Sequence, residues 1–485
     1  MTRQKGENTY KSILKGNSIF GGMQMFQILI SLVRGKFVAM FLGPAGMGMA
    51  SLFTATADTL QRFASLGMNL AVVRDVAAAR DDSEKARAVI VAARRIILLS
   101  AIAGALVCLA LSSVLSTVAF GDTANTWGMM LLAAVVLCTI LWQGKMSVLQ
   151  GLHHVKPLSR ANIVGGLAGL LVGVPLYWLW GASGIVPAMI VYAATMLAFY
   201  SYETRRYVDT SGLRFCWAAH KHLVRSLILT GLLFMSGDLI GSVCTLALNT
   251  FVRYTGGLAD VGIWQAANSL TNQYAAVIFS AMAMDYLPRL SSAIGNGDPF
   301  AGIVNRQTEI VCLLVAPLAA LLILFAPLAV HILLDESFLP AIPLIRLMAF
   351  ALVFRAAMYP LGYVTMAQNN RRVYFWLEGV GCNLLTLFMN AAGFLLFGVE
   401  GIGYAMILDS LLCLFIYLAV NRRLYSFRFD TGAVRCMAAA MASAGAALAA
   451  SLIPSQLWSY AAMAIFTAVA AAVAATGLRR RLRRK

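Results

Sequence analysis

The placement of basic residues between apolar segments most constrains what this 485-residue chain can fold into. Of its 38 Lys and Arg residues, 32 fall at the two ends or in every second gap between long apolar segments, whereas the alternate gaps hold one. Cytoplasmic loops of membrane proteins are enriched in Lys and Arg. The alternation therefore predicts a multi-pass membrane protein whose basic gaps, N-terminus and C-terminus all lie in the cytoplasm.

The apolar segments have the length of membrane-spanning helices. Such a helix needs about 20 mainly apolar residues, and the chain contains fourteen segments of this kind. They are 16–41, 46–72, 91–117, 127–149, 158–179, 184–202, 224–248, 257–284, 307–328, 343–366, 374–396, 401–420, 433–453 and 457–477. The sequence thus predicts an all-α polytopic membrane protein with about 14 transmembrane helices.

Composition excludes several classes of function. The chain is 60% hydrophobic and 12% charged, whereas a soluble domain carries roughly 25% charged residues. The net charge of +18 is spread over short gaps and a tail, so no basic domain is available for nucleic acid. The gaps leave no room for an extramembrane catalytic domain, and neither HExxH nor GxSxG occurs, so we predict no enzyme. The eight cysteines form no CxxC pair, so neither a metal site nor another cofactor is predicted.

An internal repeat indicates how the spans are organised. Aligning Gly48 with Gly262 also aligns Asp75 with Arg289, and each aligned segment is a short Gly-rich gap followed by a long helix. The repeat predicts two six-span halves, 1–210 and 211–425, which start on the same side of the membrane and are related by a pseudo-two-fold axis. Residues 426–485 then form two extra helices and a basic cytoplasmic tail.

Several runs of sequence resemble a known family of transporters. They are Lys15–Ser18, Phe41–Gly48, Arg74–Asp75, Asp260–Asn268 and Leu287–Ser291. In these runs the chain is similar to the polysaccharide transporters of the multidrug/oligosaccharidyl-lipid/polysaccharide (MOP) exporter superfamily, and within it to Wzx-type O-antigen flippases. The resemblance implies a MATE-like fold in the bacterial inner membrane. It also implies an undecaprenyl-diphosphate-linked oligosaccharide as substrate, flipped to the outer leaflet by alternating access, and polysaccharide-assembly proteins as partners.

Basic residues inside the spans are the candidates for binding an anionic substrate, because a charge at that depth is costly and suggests function. These candidates, with the lone basic residue of the outer gaps, are Arg34, Lys36, Arg62, Arg253, Arg346 and Arg355. Arg34 and Lys36 point about 200° apart on a helix, and Lys36 can extend its ammonium outward. Arg346 lies near an outer helix end, on the face opposite Arg355. For Arg253, guarding the outer mouth and being a tolerated surface charge remain equal alternatives.

Acidic residues inside the spans are candidates for coupling transport to a proton or Na⁺. Asp58, Asp238 and Asp409 lie near the centres of their spans. Asp58 is four residues before Arg62, so a helix-internal ion pair is the structural alternative. For Asp238 and Asp409 the alternative is a protonated or Arg-paired structural acid. Glu378, near an inner helix end, is expected to meet water or a loop arginine.

Three functions remain in competition at this stage. A flippase is favoured because Arg34, Arg62 and Arg355 supply forked donors suited to a diphosphate. A cation-coupled multidrug exporter of the same superfamily is the alternative, although its cavity is expected to be acidic and aromatic. A membrane-embedded polysaccharide polymerase or ligase is less well supported, because such enzymes commonly carry a sizeable outer loop and the outer gaps here are short.

Overall fold

The computed structural model describes the backbone of residues 2–80, 82–208 and 217–482. Side chains in these ranges are described except at 2–21, 217–222, 226, 230, 233, 234, 236, 274, 277, 281, 284 and 480–482. The predicted boundary at 210/211 and the last three residues of the predicted tail lie outside the described residues. Within them every regular element is a helix, which confirms the all-α prediction.

The helices match the predicted spans. Nine helical stretches of the described chain are long and apolar enough to cross a membrane. Three of these, Gly22–Ser65, Val155–Tyr207 and Arg371–Tyr425, are interrupted near Gly43, Gly181 and Gly398, where the backbone leaves the helical region. Each interrupted stretch therefore supplies two of the predicted spans. Two further long helices, Trp217–Thr255 and Leu258–Gly295, correspond to the seventh and eighth predicted spans.

Two glycines that the repeat aligns share an unusual backbone conformation. Gly43 has φ 63° and ψ −168°, and Gly257 has φ 113° and ψ 178°. This combination is accessible almost only to glycine, and in both places it turns the chain directly into a long helix. The aligned gaps are thus alike in local structure, while the extent of the two halves stays a prediction.

The chain divides into two compact units, Met1–Tyr254 and Thr255–Lys485. The helices of unit 1 are α1 (Thr2–Ser65), α2 (Met68–Ala78), α3 (Ser83–Ala110), α4 (Ser112–Phe120), α5 (Thr126–Gly151), α6 (Val155–Trp180), α7 (Ile185–Tyr207) and α8 (Trp217–Thr255). The core between α2, α3, α5 and α8 contains Met68, Ile90 and Val136 together with Leu227. Asp82 caps α3, and hydrogen bonds from the Lys85 side chain and backbone hold the pKa of its carboxyl below the usual value.

In unit 1, α8 lies antiparallel to the second part of α1. Gly67, at the end of that part, approaches Gly231 so closely that an added Cβ would lie 2.0 Å from the Gly231 carbonyl oxygen. Further along, Thr59 donates to the Ser242 carbonyl at 3.3 Å, and Asn249 donates to Ser51 at 3.1 Å. Small residues at a crossing let helix backbones approach. The crossing therefore fixes which residues of α1 face α8.

Unit 2 contains α9 (Leu258–Gly295), α10 (Ala301–Leu333), α11 (Ala341–Ala367), α12 (Arg371–Tyr374), a π-helix (Phe375–Cys382), α13 (Asn383–Tyr425), α14 (Thr431–Ala450) and α15 (Gln456–Leu482). Its largest core packs α9, α10, α11, α13 and α14 around Tyr286, Val353, Leu361 and Tyr417. The last two helices pack on α10 through small residues such as Ala320, Ala447 and Ala470. They are thus an integral part of unit 2.

Candidate substrate and coupling sites

The second part of α1 carries a polar stripe in unit 1. Thr54, Asp58 and Arg62, four residues apart, are all exposed. Arg62 forms an ion pair with Asp238 of α8, with its Nη1 3.4 Å from the carboxylate. The antiparallel crossing of α1 and α8 places these two residues opposite each other. Two residues predicted separately, one as a substrate ligand and one as a coupling acid, are therefore direct partners.

Asp58 stands between two of the predicted arginines. It lies within electrostatic range of both Arg62 and Arg34, and Arg34 belongs to the first part of α1. The bend at Gly43 brings the two parts side by side. The structure therefore differs from a simple ion pair within the helix between Asp58 and Arg62. Arg62 forms its ion pair with Asp238, and Asp58 interacts electrostatically with both Arg62 and Arg34.

Arg34 is held by an aromatic ring of α7. Its guanidinium lies 5.4 Å from the centroid of the Tyr192 ring, within the range of a cation–π contact. The Tyr192 hydroxyl in turn donates to Gln27 at 3.4 Å, and Gln27 donates to Asn162 of α6. Arg34 and Lys36 are both half-buried. Arg34 is therefore oriented by neighbours that leave its forked donors available.

In unit 2 Arg355 is half-buried, as Arg34 is in unit 1, and is held by a neutral hydrogen-bond partner. Arg355 of α11 donates to Asn272 of α9 at 2.6 Å, and Asn272 donates to Asn268 one turn away. Asp409 of α13 lies within electrostatic range of Arg355. The Asp409 carboxylate is 8% exposed and accepts from Thr386 at 2.9 Å. Unit 2 thus also brings a predicted arginine close to a predicted acid.

Arg346 has a structural partner. Its Nε donates to the Ile323 carbonyl of α10 at 3.3 Å. Pro327, four residues later, has no N–H to bond that carbonyl within the helix, and in a membrane such a group needs another partner. Arg346 therefore supplies the hydrogen-bond donor that Pro327 lacks. Its position in the sequence does not predict this structural role.

Arg253 also lies against a helix end. Its guanidinium packs on Gly121, which ends α4 with φ 76°, and on the Tyr254 ring at 4.8 Å. The Tyr254 hydroxyl donates to the Thr117 carbonyl at 2.7 Å in the last turn of α4. A cation is favourable at a helix C-terminus. This contact favours the structural interpretation of Arg253 over a role at the outer mouth.

Glu378 is a residue whose surroundings differ from those expected. Its position near a helix end predicts contact with water or a loop arginine, but its carboxylate accepts from the Tyr417 hydroxyl of α13. It also lies within electrostatic range of Tyr359 of α11. The sequence does contain a signal for this contact. Glu378, Cys382 and Thr386 are spaced four residues apart, as are Asp409, Cys413 and Tyr417, which face them across the hairpin.

Comparison with known proteins identifies the family. The family described as "Polysaccharide biosynthesis protein" matches residues 13–293, more than half of the chain. The chain belongs to this polysaccharide biosynthesis protein family. It is also 24% identical over 384 residues to the lipid III flippase of Escherichia coli (strain K12), covering 78% of this chain and 90% of that protein. The lipid III flippase of Shigella flexneri matches to the same extent.

Solved structures share the fold. The lipid II flippase MurJ in an inward closed conformation has a TM-score of 0.72 at 12% identity, covering 97% of this chain and 99% of that one. A MATE family multidrug resistance transporter of the MOP superfamily, in an inward-facing conformation, has a TM-score of 0.68 at 16% identity, covering 84% and 98%. The prediction of an all-α, MATE-like multi-pass fold is confirmed. These relatives are flippases and transporters, in agreement with the prediction of a non-enzyme.

Proposed function

We propose that this protein flips an undecaprenyl-diphosphate-linked oligosaccharide, an O-antigen repeat unit or a similar glycan, from the inner to the outer leaflet of the bacterial cytoplasmic membrane. The observation that carries the proposal is the exposed Arg62–Asp238 ion pair in the spans, with Arg34 and Asp58 in electrostatic reach. A diphosphate cannot cross hydrocarbon unaided, because it would lose its hydration. Forked guanidinium donors bind phosphate oxygens in pairs.

We propose Arg34 and Arg62 as diphosphate ligands within unit 1, and Arg355 as a diphosphate ligand within unit 2. Arg34 and Arg62 both lie within electrostatic range of Asp58, and Arg355 donates to Asn272. Lys36, Arg253 and Arg346 stay predictions from sequence. For Arg253 and Arg346 the contacts described above supply a structural reason for the charge.

The acids give the proposed site a way to couple substrate binding to a cation. Asp238 neutralises Arg62, and Asp409 lies in the field of Arg355. When an acid is neutral, its arginine is free to bind the diphosphate, because the competing anion is gone. Protonation of Asp238 and Asp409 would therefore favour loading, and their ionisation would favour release. Alternating access then exposes the loaded site to one side of the membrane at a time.

The relatives support this substrate class over a drug cation. Both E. coli and S. flexneri relatives carry the name lipid III flippase, and the family is one of polysaccharide biosynthesis. The MATE structures share the fold but at 16% identity. A drug exporter is therefore kept as an outcome of the test.

The test is a flipping assay with purified protein in proteoliposomes. Undecaprenyl-diphosphate-linked oligosaccharide is loaded in one leaflet, and its appearance in the other is followed with an impermeant glycan-modifying enzyme. We expect wild-type protein to flip the lipid and Arg62→Ala or Arg355→Ala to reduce the rate at least tenfold. Absence of flipping together with export of an organic cation such as ethidium would replace the proposal with the multidrug exporter.

A further inference from the structure

A ladder of polar side chains joins the two parts of the α13 hairpin in unit 2. The π-helix and the first part of α13 run to the bend at Phe397 and Gly398, after which the second part returns antiparallel. The hairpin is tight, because an added Cβ on Gly401 would lie 1.9 Å from the Gly393 carbonyl oxygen. This close approach fixes which residues of the two antiparallel helical segments face each other.

Three facing pairs form the ladder. Thr386 donates to Asp409 at 2.9 Å, Tyr417 donates to Glu378, and Cys382 and Cys413 lie opposite each other within electrostatic range. The members of each side are four residues apart, so they share one helix face.

Successive pairs also lie close together along the ladder. The Cys413 thiol donates to Asp409 with 3.8 Å between sulfur and oxygen, and Cys382 lies within electrostatic range of Tyr417. A row of neighbouring groups therefore runs Asp409, Cys413, Cys382, Tyr417, Glu378. From Asp409 to Tyr417 it covers eight residues of helix, or about 12 Å at 1.5 Å per residue.

Each member of this row can give and accept a proton, in contrast to the hydrocarbon side chains around it. Asp409 is 8% exposed, Cys413 4% and Tyr417 1%, so bulk water does not reach them in this conformation. A proton on Asp409 needs a route of this kind to leave. The charged and titratable groups facing the row are Arg355 and Tyr359 of α11.

We propose that this ladder carries a proton between Asp409, at the arginine site, and Glu378, at the helix end predicted to be cytoplasmic. The proposal rests on the proposed flippase function and assigns a role to Glu378, Cys382, Cys413 and Tyr417. In each transfer one O–H or S–H bond breaks as the next forms, so the proton leaves Asp409 as a carboxylate and arrives on Glu378 as a carboxylic acid. Arg355 then regains an anionic neighbour and releases the substrate diphosphate.

The π-helix contributes to this arrangement. Glu378 and Cys382 lie within Phe375–Cys382, and Asn383 donates to the Glu378 and Gly379 carbonyls at 3.1 and 2.9 Å. A π-helix shifts the side-chain phase relative to an α-helix, and such segments occur frequently at functional sites. The Asn383 amide satisfies carbonyls that this irregular winding leaves available.

The experiment measures substrate-driven proton flux in proteoliposomes that contain a pH-sensitive dye. Undecaprenyl-diphosphate-linked oligosaccharide is the substrate, and reducing agent keeps the thiols free. We expect Glu378→Gln and Tyr417→Phe to lower proton flux per flipped lipid at least tenfold, while equilibrium binding of undecaprenyl diphosphate is retained. Cys413→Ala should lower the flux similarly, and Cys413→Ser, which restores a hydroxyl, should recover most of it.

A buried cysteine outside the ladder provides the matched control. Cys312 in α10 is 0% exposed, and Cys312→Ala should leave proton flux per flipped lipid unchanged. If Glu378→Gln, Tyr417→Phe and Cys413→Ala lower only the melting temperature and keep wild-type flux, the ladder is helix packing and the proposal is wrong. It is equally wrong if wild-type protein flips lipid without moving protons, whereas wild-type protein that flips no lipid removes the flippase proposal itself.

Discussion

The two arginine–aspartate pairs differ in burial and in how they are held. In unit 1, Arg62 and Asp238 touch directly at 3.4 Å, with side chains 46% and 77% exposed. In unit 2, Arg355 and Asp409 interact at longer range, Asp409 is 8% exposed, and each is held by a neutral partner, Asn272 or Thr386. Exposed pairs contribute about 0–1 kcal/mol, whereas leaving a buried polar group without its partner costs about 1–3 kcal/mol. The Arg62–Asp238 pair in unit 1 can therefore separate to bind a substrate, whereas Arg355 and Asp409 in unit 2 are suited to keeping their positions inside the protein.

The largest effect is expected at Arg355. Arg355→Ala removes the hydrogen bond to Asn272 and the cation in whose field the buried Asp409 lies, so we expect a loss of stability of about 1–3 kcal/mol together with loss of flipping. Thermal unfolding in detergent measures the first and the proteoliposome assay the second. The double variant Arg355→Ala/Asp409→Asn should regain most of the stability while flipping stays absent. An unchanged melting temperature in the single variant would break the contrast between the pairs.

At Arg62 we expect little loss of stability but a large loss of flipping. Arg62→Ala should change stability by less than about 1 kcal/mol, because the pair is exposed, yet reduce flipping at least tenfold. Arg62→Lys is the matched control, because it keeps the charge but loses the fork that holds two phosphate oxygens. We expect it to recover only part of the rate. A melting temperature lowered as far as in Arg355→Ala would show that the two pairs are equivalent.

Substitutions at Tyr192 test whether Arg34, like the exposed Arg62, binds the substrate. Removal of the ring in Tyr192→Leu takes away a cation–π contact of about 0.5–1 kcal/mol, so affinity for undecaprenyl diphosphate should fall a few-fold. Tyr192→Phe keeps the ring and should bind as wild type does. Equal affinity in all three proteins would mean that the Tyr192 contact does not position Arg34 for the substrate.

The smallest effect on transport is expected at Arg346. Arg346→Ala leaves the Ile323 carbonyl without a donor, which should cost about 1–3 kcal/mol of stability. Flipping per folded molecule should stay near the wild-type rate, in contrast to Arg62→Ala. A specific loss of flipping at wild-type stability would return Arg346 to the substrate ligands predicted from sequence.

Much of the fold was accessible from sequence because membrane insertion acts on local properties. Span length and the alternation of Lys and Arg depend on short windows of sequence, and the sequence repeat alone aligns the glycine gaps at Gly43 and Gly257. The pairing of Arg62 with Asp238 could not be predicted from sequence, because it depends on the crossing of α1 and α8 at Gly67 and Gly231. That contact joins residues far apart in the chain.

The roles of single charges were the least accessible part. Arg346 and Arg355 lie in one span on opposite faces, but their sequence positions do not show that Arg346 meets the Ile323 carbonyl of a neighbouring helix, four residues before Pro327. The position of Glu378 near a helix end predicts contact with water or a loop arginine, whereas the antiparallel hairpin places Tyr417 against it. A four-residue spacing in both arms of the hairpin was the available signal.

The most direct test of the account measures affinity for undecaprenyl diphosphate in detergent as a function of pH. If Asp238 and Asp409 compete with the diphosphate for Arg62 and Arg355, affinity in wild-type protein should rise as pH falls and Asp409 becomes neutral. The Asp238→Asn/Asp409→Asn protein should bind tightly across the range and lack this rise, and it also corrects for protonation of the ligand itself. Identical pH profiles for the two proteins would contradict the competition between acid and substrate on which the mechanism depends.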